Sequence, residues 1–114
     1  LKILPDKLPP NVIHQAIDKL NEITIVFNEN VDNSSSEDPL NYKLRDLNVK
    51  NATVTDALQI DRIEHQGKAV IIHTKNMTSQ NEEQYSVTMK NISDVHGIFI
   101  SPNPKVITAV QRIR

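Results

Sequence analysis

Cysteine is absent from this sequence, which excludes a disulfide framework and any thiolate metal site. Tryptophan is absent too, and only four aromatic residues occur: Phe27, Tyr42, Tyr85 and Phe99. With two glycines, Gly67 and Gly97, the chain cannot build a phosphate-cradling loop, and it has no Gly-x-Ser-x-Gly nucleophile elbow. The four histidines, at 14, 65, 73 and 96, lack the tight spacing of a zinc site and read as surface or half-buried side chains. No apolar run approaches the roughly 20 residues that cross a bilayer as a helix, so no membrane insertion is expected. Charge of one sign is missing as well: 13 basic and 14 acidic residues are scattered, leaving a net charge of −1. Nucleic-acid binding draws on a basic stripe that neutralises phosphates, and none is visible. Glu82 and Glu83 stand in a polar connector with no apolar wall to shift a carboxyl pKa, so solvation is expected. No catalytic constellation emerges, and the chain reads as a non-enzyme.

What is present is strand pattern. The 114 residues, 38% hydrophobic and 24% charged, suit one soluble domain with its own core. Glu22-Ile23-Thr24-Ile25-Val26-Phe27 alternates with Ile23, Ile25 and Phe27 inward. Tyr85 to Lys90 repeats the period, with Tyr85, Val87 and Met89 inward. Ala69 to Thr74 is β-branched on both faces, as a central strand is. Leu58 to Ile63 precedes it, and Gly67 supplies the positive φ of a tight hairpin between them. Leu40 to Leu44 and Val106 to Ile113 complete the strands. Polar connectors separate them at Asn28–Pro39, Asn76–Gln84 and Asn91–Pro104. Short strands spaced this way predict an antiparallel sandwich of about seven strands. Val12 to Leu20 admits two readings, because Ile13, Ala16, Ile17 and Leu20 also fall at helical spacing.

Three patterns in order carry a resemblance. Ile23 to Phe27 runs into Asn28-Glu29-Asn30-Val31-Asp32; Asn41-Tyr42-Lys43-Leu44 follows; then come Tyr85-Ser86-Val87-Thr88-Met89 and an exit through Ile92 to Asp94 and Gly97. The set resembles the immunoglobulin-like domains of bacterial surface-layer proteins over residues 12 to 110. Two departures stand out: Ile98 follows Gly97 where the family has Asn, and Asn81-Glu82-Glu83 replaces a Pro-Gly turn. The resemblance implies an all-β, immunoglobulin-like antiparallel sandwich without catalytic residues, used as a spacer, lattice unit or adhesive module. It also favours an edge strand through Val12 to Ile17 and a turn at Asp18 to Asn21.

The expectations follow from that reading. Residues 1–114 form one domain of a larger multidomain protein, with residues 1–10 a linker or edge segment, because the chain starts at Leu1 without a leader. The location is extracellular, on the cell surface or secreted. Partners are neighbouring domains of the same chain, other surface proteins or cell-wall glycans. No cofactor is expected other than calcium, for which the resemblance singles out Glu29, Asp32 and Asp94; the competing role for these is turn and loop capping. Phe99 is the one aromatic placed to offer a sugar an exposed face, the basis of a carbohydrate-binding alternative. Tyr85 suits a tyrosine-corner contact. Sequons at Asn33, Asn51, Asn76 and Asn91 are candidate glycan sites only in a eukaryotic secreted protein.

Overall fold

A computed structural model describes residues 8–47, 57–75, 77 and 83–112. Among these, eight strands form two four-stranded antiparallel sheets. The strands are β1 Val12–Lys19, β2 Glu22–Phe27, β3 Tyr42–Asp46, β4 Ala57–Leu58, β5 Ile60–Gln66, β6 Ala69–Thr74, β7 Gln84–Met89 and β8 Lys105–Val110. One sheet has the order β1-β2-β6-β5 and the other β4-β3-β7-β8. These are the A-B-E-D and C′-C-F-G orders of an immunoglobulin-like sandwich. Only Gln59 separates β4 from β5, so one run of chain changes sheets there. Counted as one strand, that run gives the seven that the sequence pattern predicts.

The period-2 readings hold on both sheets. Ile23, Ile25 and Phe27 are fully buried on β2, and Val70 and Ile72 on β6. They face Leu44, Tyr85, Val87 and Met89 of the opposite sheet. Each large side chain buried this way contributes about 1.5–3 kcal/mol, so alternation itself fixes which face turns inward. Val31, Ile92 and Ile100 extend the same core into the loops. The β5–β6 hairpin pairs Gln66 with Ala69, leaving Gly67 at φ +63° as the first of two loop residues. Positive φ at that position matches the twist of a hairpin and is open to glycine without strain.

Val12 to Lys19 is an edge strand and not a helix; it also runs two residues further than the pattern predicts, with Leu20 and Asn21 making the turn. Ile13 and Leu20 are 63% and 43% exposed, so their helical spacing reflects no buried face. Asn21 holds φ +64°, and its Oδ1 accepts from Thr74 Oγ1 (3.1 Å) and Met77 N–H (3.0 Å). Two other expectations are corrected. Leu40 sits in a 3₁₀ turn at Pro39–Asn41 and is 81% exposed, so the third strand begins at Tyr42. Glu83 is not solvated but buried, its carbonyl receiving the Gln111 N–H at 2.8 Å. Glu82, Ile113, Asn51, Asn76 and most of the Asn76–Gln84 connector lie outside the described residues.

Candidate functional site

Strand directions gather all four candidate residues at one end of the sandwich. β2 ends there at Phe27, β7 ends there at Met89, and the Asn91–Pro104 excursion returns there to Lys105. Asp32 caps a four-residue helix, Asn33–Ser36. Its Oδ2 accepts the Ser35 N–H at 2.9 Å and the Ser34 hydroxyl at 2.9 Å. The Ser35 N–H, then the Ser34 hydroxyl, hold the Asp32 carboxyl below the usual range, with lesser help from the Ser35 hydroxyl and His65 against a small burial penalty. Asp32 N–H donates to Ser93 O at 2.8 Å, which ties this loop to the excursion.

The excursion is a small tongue. Ser93 pairs with Phe99, and the Ile100 N–H donates to Ile92 O at 2.8 Å. Inside the tongue, Asp94 Oδ1 accepts the His96 N–H at 2.8 Å and the Ile98 N–H at 2.9 Å. Gly97 takes φ +84° to close the loop, and its N–H donates to Asp94 O at 3.1 Å. Asp94 is 2% exposed. Burial pushes its carboxyl up, but the Ile98 and His96 N–H groups, a hydrogen bond with Glu29 and the charge of His96 outweigh this and leave it lowered. Val31 bridges to Asp94 through the backbone, which is how Glu29 reaches the same spot.

The structure therefore joins Glu29 with Asp94 and leaves Asp32 engaged at its own cap. Calcium takes six to eight oxygen ligands, whereas Asp32 and Asp94 are turned onto backbone N–H and hydroxyl groups. Among the described residues, no three Asp, Glu, His or Cys side chains converge to hold a metal ion. For Asp32 and Asp94 the bonds shown are those of loop capping.

Phe99 is 51% exposed at the tongue, beside Val95 at 60%. It is a single ring, because Phe27, Tyr42 and Tyr85 are buried. Tyr85 is buried on β7 as expected, and Tyr42 makes a bond of the tyrosine-corner kind: its hydroxyl donates to Ser36 O at 2.6 Å. The sequence offers only an aromatic within a short strand as a signal for that contact. His65 Nε2 meets Val31 O at 2.9 Å, His73 Nε2 meets Glu64 Oε1 at 3.2 Å, and His14 and His96 are exposed. Of the sequons, Asn33 is exposed at the start of its helix, and Asn91 is exposed but paired with Asn103 at 3.0 Å. An open cleft of about 320 Å³ runs between β1 and β8, lined by His14, Gln15, Asp18, Thr108, Val110 and Arg112 among others.

No family model matches the chain. No curated protein matches it either. Solved structures do. Domains 1–6 of the surface-layer protein SbsC superpose with a TM-score of 0.77 at 14% identity, over 92% of this chain and 14% of that one. The N-terminal part of the bacterial S-layer protein SbsC gives 0.76 at 14% identity, covering 92% of this chain and 24% of that one. The S-layer protein rSbsC(31–844) gives 0.74 at 15% identity, covering 90% and 13%. The fold resembles a surface-layer domain. The chain spans at most about a quarter of the length of these surface-layer structures, and the likeness is one of backbone architecture.

Proposed function

We propose that this chain is a non-catalytic, immunoglobulin-like structural module of a bacterial surface or secreted multidomain protein. The observation that carries the reading is the surface-layer likeness: 92% of this chain fits within 14% of a much longer S-layer structure. That is the relation of one domain to a string of them. The loop pole supports the same reading, since its carboxylates are spent on holding their own loops. Neighbouring domains of the same chain are then its first partners, and the cell surface its place of work.

Thermal unfolding in EDTA, in millimolar calcium and with a panel of soluble polysaccharides tests this. A ligand that binds only the folded state raises stability by about 2.7 kcal/mol at a hundredfold excess over its Kd. The expected outcome is one melting temperature in every condition. A saturable rise with a glycan that Phe99→Ala abolishes would replace the structural reading with a binding one. A rise with calcium would return Glu29 and Asp94 to the role of ligands.

A further inference from the structure

The two sheets handle surface charge differently. Around β5 and β6 the cations are matched: Arg62 lies 3.6 Å from Glu64, His73 Nε2 3.2 Å from the same carboxylate, and Lys75 4.0 Å from Asp61. The sheet of β3, β7 and β8 has no such pairs among the described residues. On its outward face Lys43 stands opposite Thr88 and Arg45 opposite Ser86, with Val106 and Thr108 next across on β8. Two residues apart on one face, Lys43 and Arg45 are about 7 Å from each other. Lys90 continues the outward line of β7 past Thr88, where its N–H donates to Asn41 O at 2.9 Å, so it lies diagonally across from Lys43. All three cations are exposed. No acidic residue occupies an outward position on the three strands: Asp46 falls on the inward phase opposite Tyr85. Asp38, two residues before Leu40, is turned onto the Leu40 N–H at 3.0 Å. Cations that the sequence scatters are thus gathered by the pairing of β3 with β7.

Beside these cations the same face is apolar. Leu40 is 81% exposed and Val106 61%. Leu40 and Pro104 line a cleft of about 230 Å³ together with Lys43, Thr88 and Lys90. That volume lies below the roughly 300–1,000 Å³ of small-molecule sites and suits one inserted side chain. An apolar centre with a polar rim is the anatomy of a protein interface, and neighbouring cations without acids between them call for a partner that brings acids. From this we infer an interaction surface: the loop-pole end of the β3–β7–β8 face docks a short acidic segment of a partner protein. One apolar side chain of that segment enters the cleft, and its flanking carboxylates meet Lys43, Arg45 and Lys90. Sugars and single-stranded nucleic acids stack on exposed rings. This face presents none, since Tyr42 and Tyr85, the aromatics of β3 and β7, are buried. The surface goes beyond the structural-module reading, because it gives the module a partner of its own.

A chain of 114 residues suits titration by amide NMR. The probe is a capped hexapeptide, Asp-Glu-Leu-Phe-Glu-Asp, run against a matched peptide with Lys at each acidic position. The acidic peptide is expected to give saturable shifts confined to the amides around Leu40, Lys43, Thr88, Lys90 and Val106, and the basic one none. Lys43→Glu with Lys90→Glu, both at exposed positions, is expected to weaken binding about tenfold or more. Leu40→Ser, which removes the apolar contact without touching a charge, is expected to weaken it about tenfold as well. Arg62→Glu, the same charge change on the other sheet, should leave the affinity unchanged. The absence of saturable shifts up to millimolar acidic peptide overturns the surface. So does an equal response to the basic peptide, or a loss with Arg62→Glu as large as with the double lysine variant. Polygalacturonate and oligothymidylate form two further arms. Tighter binding of either at the same residues makes the face a general polyanion surface and overturns the protein segment as its occupant. The peptide results leave the structural-module reading untouched, which the ligand melts decide.

Discussion

Asp94 gives the sharpest test of what the loop pole is for. Two substitutions divide its contribution. Asp94→Asn keeps an oxygen for the His96 and Ile98 N–H groups, now at 2.8 and 2.9 Å, but removes the charge. A hydrogen bond to a charged group contributes about 1.5–3 kcal/mol and a neutral one about 0.5–1.5, so two bonds lose roughly 2 kcal/mol. Relief of the burial penalty returns part of that, and the net cost is about 1 kcal/mol. Asp94→Ala removes the acceptor altogether and costs about 2–3 kcal/mol, since the Ile98 N–H is half-buried. The pH dependence has a definite sign. The folded carboxyl is lowered, so its contribution is complete above the ordinary carboxylate pKa and is lost as pH falls through the folded value. The wild-type advantage over Asp94→Asn should thus be full at pH 7 and close in acid. Urea unfolding followed by circular dichroism suits a chain without tryptophan. Equal losses for Asn and Ala, or an Asp–Asn gap that survives into acid, would refute the capping role.

Two further outcomes follow from single contacts. Tyr42→Phe removes the hydroxyl that satisfies the buried Ser36 carbonyl and should cost about 1–2 kcal/mol in the same denaturation assay, with an unchanged fold. Burial raises the Tyr42 pKa, so its contribution is complete below the free-tyrosine value of about 10 and is lost as pH rises; in alkaline absorbance titration Tyr42 should ionise only with unfolding, and Tyr42→Phe should remove that signal. Asn21→Ala loses two hydrogen bonds and forces alanine into φ +64°, for about 2–3 kcal/mol in all. Asn21→Gly should be milder by about 1 kcal/mol in melting experiments, because glycine accepts that φ; a glycine variant no better than alanine refutes the strain argument.

The sandwich was legible where a strand has neighbours on both sides. β2, β6 and β7 each lie between two partners, so the core dictates every second residue and the period-2 pattern is unbroken. β1 has less to obey. It pairs with β2 on one side, shifts register twice, and buries only Ile17 fully, so its apolar residues fall into an accidental helical spacing. The sheet change at Gln59 left no signal because strand propensity continues through it. Glu83 is a related case: its backbone carbonyl is bonded by Gln111, 28 positions away, a pairing that its own polar surroundings in the sequence do not show.

The loop pole shows a stricter limit on sequence reading. The family resemblance groups Glu29, Asp32 and Asp94, but it carries no information on which partner each one meets. Which N–H groups each carboxylate meets depends on loop closure. In the tongue, Gly97 turns the chain back so that the N–H groups of His96 and Ile98 converge on Asp94 Oδ1. Those bonds form only when the loop has closed. The geometry that brings Glu29 to Asp94 is thus the geometry that occupies Asp94. The loops thus draw on their own acids to close: Asp94 Oδ1 holds the His96 and Ile98 N–H groups, and Asp32 Oδ2 holds the Ser34 hydroxyl and the Ser35 N–H.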